Sequence, residues 1–177
     1  AINAGGGGAL PFEKVRAEEI GGLKALGYFG NTTGTNVSDN ETVTIGSVTY
    51  QFDTVGTLQP DPYIVRIGAD LQESLNNLKR CINLDPIANA DNPEYFWRDS
   101  ATGEETLEHP DVEAVEVLAS GSGYKLTVRA RKQGAGPNTI ATTETCTAAA
   151  WDAATLTGGT RVIMVIASLA GTDGNAI

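Results

Sequence analysis

The chain has little of the chemistry that most catalytic and metal sites require. Its 177 residues include one histidine and two cysteines. A structural zinc site takes four ligands, mostly Cys and His, so three such residues exclude the usual zinc arrangements. The chain also has no G-x-S-x-G elbow, no P-loop and no H-E-x-x-H motif, which are signs of common enzyme classes. We therefore predict a protein that is not an enzyme and that binds no metal and no cofactor.

Basic residues and long apolar runs are also scarce. Twelve Lys and Arg stand against 22 Asp and Glu, a net charge of −10. Nucleic-acid backbones are bound by clustered basic residues, so we predict no nucleic-acid partner. No run reaches the roughly 18 apolar residues that would cross a bilayer, and the opening AINAGGGG lacks a signal-peptide pattern. We expect synthesis in the cytoplasm, no membrane partner, and an acidic surface that is either solvated, the favoured interpretation, or complementary to a basic partner.

The side chains that could take part in catalysis are interpreted as loop or core residues rather than as parts of an active site. His109 is expected to be a solvated histidine in a loop. Glu104 and Glu105 are neighbours in a turn-rich segment, which is typical of a solvated loop rather than of a glycosidase pair. Cys81 and Cys146 are expected to pack as small apolar side chains, with a disulfide between them as the alternative.

The clearest folding signal begins at residue 42. TVTIGSVTYQF predicts two short strands joined by a tight turn at Gly46 and Ser47. The helix that follows carries one apolar stripe, which would cover a face that the hairpin cannot bury alone. The stripe consists of Leu71, Leu75, Leu78 and Ile82.

A second hairpin and two further strands complete the predicted domain. Residues 112–117 and 124–130 alternate apolar and polar side chains around an SGSG link. Residues 139–148 are rich in Thr, and residues 162–170 read as a buried strand. We predict an α+β fold, an antiparallel sheet in β-β-α-β-β-β order with one covering helix and an extended N-terminal arm. The predicted core is Val43, Ile45, Val48, Tyr50, Leu71, Leu75, Leu78, Val115, Val117, Leu126, Val128, Val162, Ile163 and Val165.

The arm is predicted from residues 1–30, the domain from 31–170 and a tail from 171–177. After a glycine-rich start, Pro11 and early Glu residues favour a short helix that Gly21 and Gly22 break or bend. The arm has apolar side chains that need a partner surface, either on its own domain or on a neighbouring subunit. These predicted contacts are Phe12, Val15, Ile20, Leu23 and Leu26.

An insertion at about 85–110 is the least regular part of the sequence. Its length predicts either an elaborated binding loop or a small subdomain. Tyr95, Phe96 and Trp97 would form a second interface if exposed, although packing over the sheet edge is favoured. Tyr95, Trp97 and Trp151 are the only basis for a carbohydrate-binding module.

Four segments in order carry a resemblance to a known family. They are DNETVTIGSVTYQF at 39–52, IGADLQESLNNLKRCIN at 67–83, GSGYKLTVRARKQGAGPN at 121–138 and TLTGG at 155–159. Together they resemble a module of tailed-bacteriophage virion proteins. Glu41 departs from the glycine-led turn of that module, the helix is more polar, and the insertion is longer.

The resemblance implies a virion structural protein made in the host cytoplasm. A glycine-rich, partly apolar arm suits a capsid decoration (cement) protein that binds the major capsid protein and stabilises the shell, as a homo-oligomer such as a trimer. The alternative is a structural subunit of the phage tail, neck or fibre base. The decoration hypothesis predicts that deleting residues 1–26 abolishes shell binding and leaves a folded core.

Overall fold

The computed structural model describes residues 15–54, 63–84 and 108–167, which form two β-sheets and one α-helix. The predicted α+β class is confirmed. No helix in these ranges is long and apolar enough to cross a bilayer. The elements are β1 (Val15–Gly30), β2 (Thr42–Ile45), β3 (Val48–Asp53), β4 (Tyr63–Arg66), α1 (Leu71–Asn83), β5 (Val112–Ser120), β6 (Gly123–Gln133), a 3-10 helix (Gly136–Thr139), β7 (Thr142–Glu144), β8 (Ala150–Trp151) and β9 (Thr160–Ala167).

The strand order is richer than the predicted β-β-α-β-β-β. One sheet runs β5-β6-β1-β8, with β9 also paired to β1, and the other runs β4-β3-β2-β7. The pair of β3 and β4 is parallel, whereas the other strand pairs are antiparallel. The prediction missed β1 because its glycines interrupt the apolar pattern. It missed β4 because four residues are too few to show a period.

The first hairpin forms as predicted. Gly46 has a φ of 58°, the left-handed conformation that the turn between β2 and β3 requires. Val43 lies opposite Tyr50 in the ladder, and both side chains are fully buried together with Ile45 and Phe52. The apolar alternation therefore sets the buried face of this sheet.

The second hairpin also forms, with one correction to its core. The register of β5 and β6 shifts between Ala114 and Glu116. Val112 and Ala114 are buried, but Val115 and Val117 are only half-buried. A bulge places two residues opposite one, so strict alternation fails beyond it.

Helix α1 is fixed at both ends and along one face. The Asp70 side chain accepts a hydrogen bond from the Glu73 backbone N–H, and the Glu73 carboxylate accepts one from the Ala69 N–H. Leu84 closes the other end in the left-handed conformation. The predicted stripe is buried against β4, β5 and β6, so α1 packs against strands of both sheets.

The predicted N-terminal helix is wrong, because residues 15–30 form a single long strand. Glycines at 21, 22 and 27 disfavour a helix. From Ala25 onward the burial alternates, with Ala25 and Phe29 fully buried. The second half of β1 is thus a central strand of the first sheet, paired with β6 on one side and β8 on the other.

The predicted burial of the last strand is also wrong for the side chains that the structure describes. Val162 and Ile163 are 48% and 52% exposed. They lie in β9, which pairs with β1 where β1 has already left the sheet. Val165 lies opposite Ala17 in this ladder. The apolar strand β9 was expected in the interior, but it pairs with the part of β1 that extends beyond the sheet.

The two cysteines are free, as the favoured interpretation predicted. Cys81 is buried on α1, and Cys146 is half-buried with its thiol 3.6 Å from the Thr42 carbonyl oxygen. Burial raises the pKa of both thiols to about 12, so both stay protonated at neutral pH.

Candidate interaction surface

A two-stranded extension is the most distinctive surface of the described chain. It consists of residues 15–23 of β1 and of β9, and we call it the β-ribbon. Eight register pairs join its strands, from Val15 opposite Ala167 to Leu23 opposite Thr160. Nine strand residues span roughly 30 Å. Strand β6 pairs with β1 only as far as Lys24, so the β-ribbon continues past the end of the sheet.

Apolar side chains are exposed where the β-ribbon leaves the sheet. Leu23 is 65% exposed and belongs with Val162 and Ile163 to a small group of exposed large apolar residues. An isolated pair of strands is marginally stable in water. A strand pair with exposed apolar side chains is the kind of surface that another protein covers.

Close backbone contact holds the two strands of the β-ribbon together. A Cβ atom added to Gly22 would lie 2.1 Å from the Thr160 carbonyl oxygen. Only glycine allows β1 and β9 to approach each other at this point. The register also shifts between Glu19 and Gly21, which increases the local twist of the pair.

An ion-pair cluster marks the base of the β-ribbon. The Lys24 ammonium lies 2.9 Å from Glu113 Oε1, and the Arg129 Nε atom lies 3.0 Å from the same oxygen. Hydrogen bonds from Lys24 and Arg129 lower the pKa of Glu113. The cluster joins β1, β6 and β5 side by side at the point where β1 leaves the sheet.

The predicted contact residues fall into three groups. Val15 and Ile20 lie on the β1 strand of the β-ribbon, and Leu23 is exposed at its base. Leu26 is half-buried inside the sheet, where its backbone exchanges two hydrogen bonds with Thr157. It therefore lies within the sheet rather than on the β-ribbon. Phe12, Tyr95, Phe96 and Trp97 lie outside the described residues.

The contribution of β9 to this surface does not follow from the sequence. Val162 and Ile163 were assigned to the core because a continuous apolar run is typical of a buried strand. The polar flank TLTGGT precedes that run, but a flank does not show which strand the run will pair with. Pairing with the outer half of β1 is a property of the tertiary structure.

His109 was predicted to be a solvated loop residue, and this is wrong. It is 1% exposed, and its Nδ1 accepts hydrogen bonds from the backbone N–H groups of Asp111 and Val112. Nε2 therefore carries the hydrogen and donates a hydrogen bond to the Ile45 carbonyl oxygen, 3.1 Å away. Burial lowers the pKa of His109. Both ring nitrogens are occupied by backbone groups, so this imidazole is a structural cross-link rather than a general base.

Glu41, which departs from the phage module, is a buried carboxylate with a full set of partners. Its oxygens accept hydrogen bonds from the backbone N–H groups of Ser38 and Thr147, and from the Thr147 hydroxyl, at 2.7–2.8 Å. Burial raises the pKa of this group, but the hydrogen bonds outweigh burial and hold it below its ordinary value. The residue fastens the loop before β2 to the loop after β7.

Neither a search for metal-binding clusters in the described residues nor comparison with known proteins indicates a second functional site. Among residues 15–54, 63–84 and 108–167, no group of three or more His, Cys, Asp or Glu side chains is placed to hold a metal ion. Comparison with protein-family models, curated proteins and solved structures finds no match for this chain. The likeness to the phage module therefore stays a prediction from the residues that carry it.

Proposed function

We propose that the chain is a structural protein of the bacteriophage virion, acting as a decoration protein on the outer capsid shell. The observation that carries this proposal is the β-ribbon, in which Leu23, Val162 and Ile163 are exposed along the half nearest the sheet. Strand pairs of this kind bind neighbouring proteins through backbone hydrogen bonds and apolar contacts. The four-segment likeness to the phage module supplies the virion context and the major capsid protein as the partner.

The rest of the described chain suits a role in assembly. Two sheets and α1 share one apolar core, which gives the β-ribbon a firm base. Buried polar residues such as His109 and Glu41 form hydrogen bonds with backbone groups. We place the protein in the virion as a homo-oligomer without catalytic activity.

Deletion of residues 1–26 is not a suitable test of shell binding. Deleting residues 1–26 would remove Ala25, which is fully buried in the first sheet, and would damage the core as well as the arm. Substitutions at the exposed positions separate these effects. Threonine preserves strand propensity while removing apolar surface.

The test uses the triple variant Leu23→Thr, Val162→Thr and Ile163→Thr with capsids that lack the protein. We expect its binding to fall about 100-fold in co-sedimentation, since each lost apolar contact contributes about 1 kcal/mol. The matched control is Leu118→Thr, because Leu118 is 50% exposed on β5 and should be neutral.

The opposite results would contradict the proposal. If the triple variant bound shells as tightly as the wild type, the β-ribbon would not be the contact. If the wild type bound isolated tails or necks and no shells, the tail alternative would replace the decoration role.

A further inference from the structure

One edge of the β-ribbon has no partner among the described residues. Strand β9 occupies one edge of residues 15–23 of β1. On the opposite edge, β6 ends at Gln133, opposite Lys24, and the Gly134 N–H donates to the Leu23 carbonyl oxygen. Beyond that point, no described strand pairs with this edge of β1. Its backbone groups are those that an added strand would use.

We propose that a second copy of this chain pairs with this open edge, antiparallel and about a two-fold axis at Ala17. The two copies would form a four-stranded sheet in the order β9-β1-β1-β9. The inference rests on the proposed role of the β-ribbon as a docking element, and it names one occupant of that element.

The charges of the strand favour a second copy. Residues 15–19 read VRAEE. An antiparallel pair centred on Ala17 sets Arg16 opposite Glu18 of the second copy, and Glu18 opposite Arg16 of the second copy. Opposite charges in facing register stabilise a strand pair, and like charges destabilise it. The pattern is thus self-complementary, as a two-fold interface requires.

The overall charge of the β-ribbon permits close approach of two copies. It contains Arg16 and Arg161 against Glu18 and Glu19, a net charge of zero, whereas the whole chain carries −10. The β-ribbons of two copies therefore meet without net charge repulsion between them.

The N-terminal segment of the same chain is a poorer occupant by composition. Residues 1–14 include four consecutive glycines and Pro11, and glycine and proline are depleted in strands. The residues directly before Val15 are Phe, Glu and Lys, none of which favours the tight reversal that would bring this segment back onto β1.

The experiment is sedimentation equilibrium on the full chain with charge-exchange variants. Arg16→Glu and Glu18→Arg each create like-charge pairs, so each should weaken dimer formation about tenfold. The two variants shift the net charge in opposite directions, which separates pairing from general repulsion. The double variant Arg16→Glu/Glu18→Arg restores opposite charges and should recover the wild-type dissociation constant. The control Lys79→Glu on α1 should change nothing.

Several results would overturn the inference. These are a wild-type chain that stays monomeric up to about 0.1 mM, a trimer, or a dimer that ignores both single variants. A monomer that dimerises once residues 1–14 are deleted would assign the edge to the chain's own N-terminal segment.

Capsid binding, measured on the same proteins, separates the two proposals. Shell binding by a monomer rejects only the second-copy pairing. A charge-sensitive dimer that binds no shell rejects only the decoration role.

Discussion

Burial lowers the pKa of His109, and the two backbone N–H groups that donate to Nδ1 also favour the neutral ring. Its backbone adds two further links, since its N–H donates to the Ile82 carbonyl oxygen and its carbonyl oxygen accepts from Arg131 Nε. The residue therefore joins the end of α1, the first hairpin and β6. A protonated ring would direct an Nδ1–H at the N–H groups of Asp111 and Val112, which makes the charged form unfavourable in the folded state.

Stability should therefore fall as the pH drops below about 6.5. Burial lowers the pKa of His109 from its ordinary 6.5, so the unfolded chain takes up a proton there before the folded chain does. The free energy of unfolding should decrease by up to about 1.4 kcal/mol per pH unit until the folded pKa is reached. Urea titrations between about pH 7.5 and 5.5, above the ordinary carboxyl range, would measure the slope.

The variant His109→Gln supplies the control for this slope. Glutamine offers an NH2 group that donates and a carbonyl oxygen that accepts, but it does not titrate. The variant should be less stable at neutral pH and show a flatter pH dependence. A slope equal to that of the wild type would assign the effect to other groups.

Tyr50 shows a polar atom without a partner among the described residues. The side chain is fully buried, and its hydroxyl has no hydrogen bond there. Its ring lies 5.7 Å from that of Tyr63 and 6.4 Å from that of His109. Burial raises the pKa of Tyr50, so the phenol is neutral.

Tyr50→Phe should raise the free energy of unfolding by about 1 kcal/mol, because a buried hydroxyl without a partner is unfavourable. Chemical denaturation would measure the change, with Tyr124→Phe at a half-buried position as the control. A loss of more than about 1 kcal/mol would show that the hydroxyl does have a partner.

At the scale of elements, β1 combines two strands with different surroundings. From Lys24 to Gly30 it pairs with β6, and on its other side with Thr157 at Leu26 and with β8 at Phe29 and Gly30. Ala25 and Phe29 belong to the core. Before Lys24 the described strand that pairs with it is β9, and Gly134 adds one hydrogen bond at Leu23. The half before Lys24 should therefore be less stable than the half after it, because a strand with fewer partners opens more readily.

The variant Gly22→Val should open the β-ribbon without unfolding the domain. The added side chain would collide with the Thr160 carbonyl group, so the two strands must separate there. Hydrogen exchange with mass spectrometry should show lost protection in β9 and unchanged protection in β2 and β3. We expect the global free energy of unfolding to fall by about 1–2 kcal/mol.

Gly136→Ala is the matched control, because nothing lies within 4 Å of a Cβ atom at Gly136. Its exchange pattern should equal that of the wild type. Full protection of β9 in Gly22→Val would show that the strands tolerate a side chain there.

At the scale of the molecule, one core serves two sheets and one helix. Side chains from β2, β3, α1 and β6 meet in it, and α1 contacts strands of both sheets. The β-ribbon extends from this body in line with β1. The described chain thus combines a packed unit with an extension that its own described residues do not cover.

The sequence by itself determined the local elements whose signals are complete within a few residues. Gly46 and the alternation around it specified the first hairpin, SGSG specified the second, and the stripe with Asp70 before it specified α1. These features follow from turn chemistry, side-chain alternation and capping, which act between near neighbours.

Only the tertiary structure decided the conformation and burial of residues whose neighbours come from distant segments. Residues 15–23 became a strand because β9, more than 130 residues away in sequence, supplies their ladder. Val162 and Ile163 are exposed for the same reason, and His109 is buried because Ile45 offers its carbonyl oxygen. Long-range pairing adds hydrogen bonds and burial that no local pattern encodes, so the strand conformation of residues 15–23 could not be predicted from the sequence.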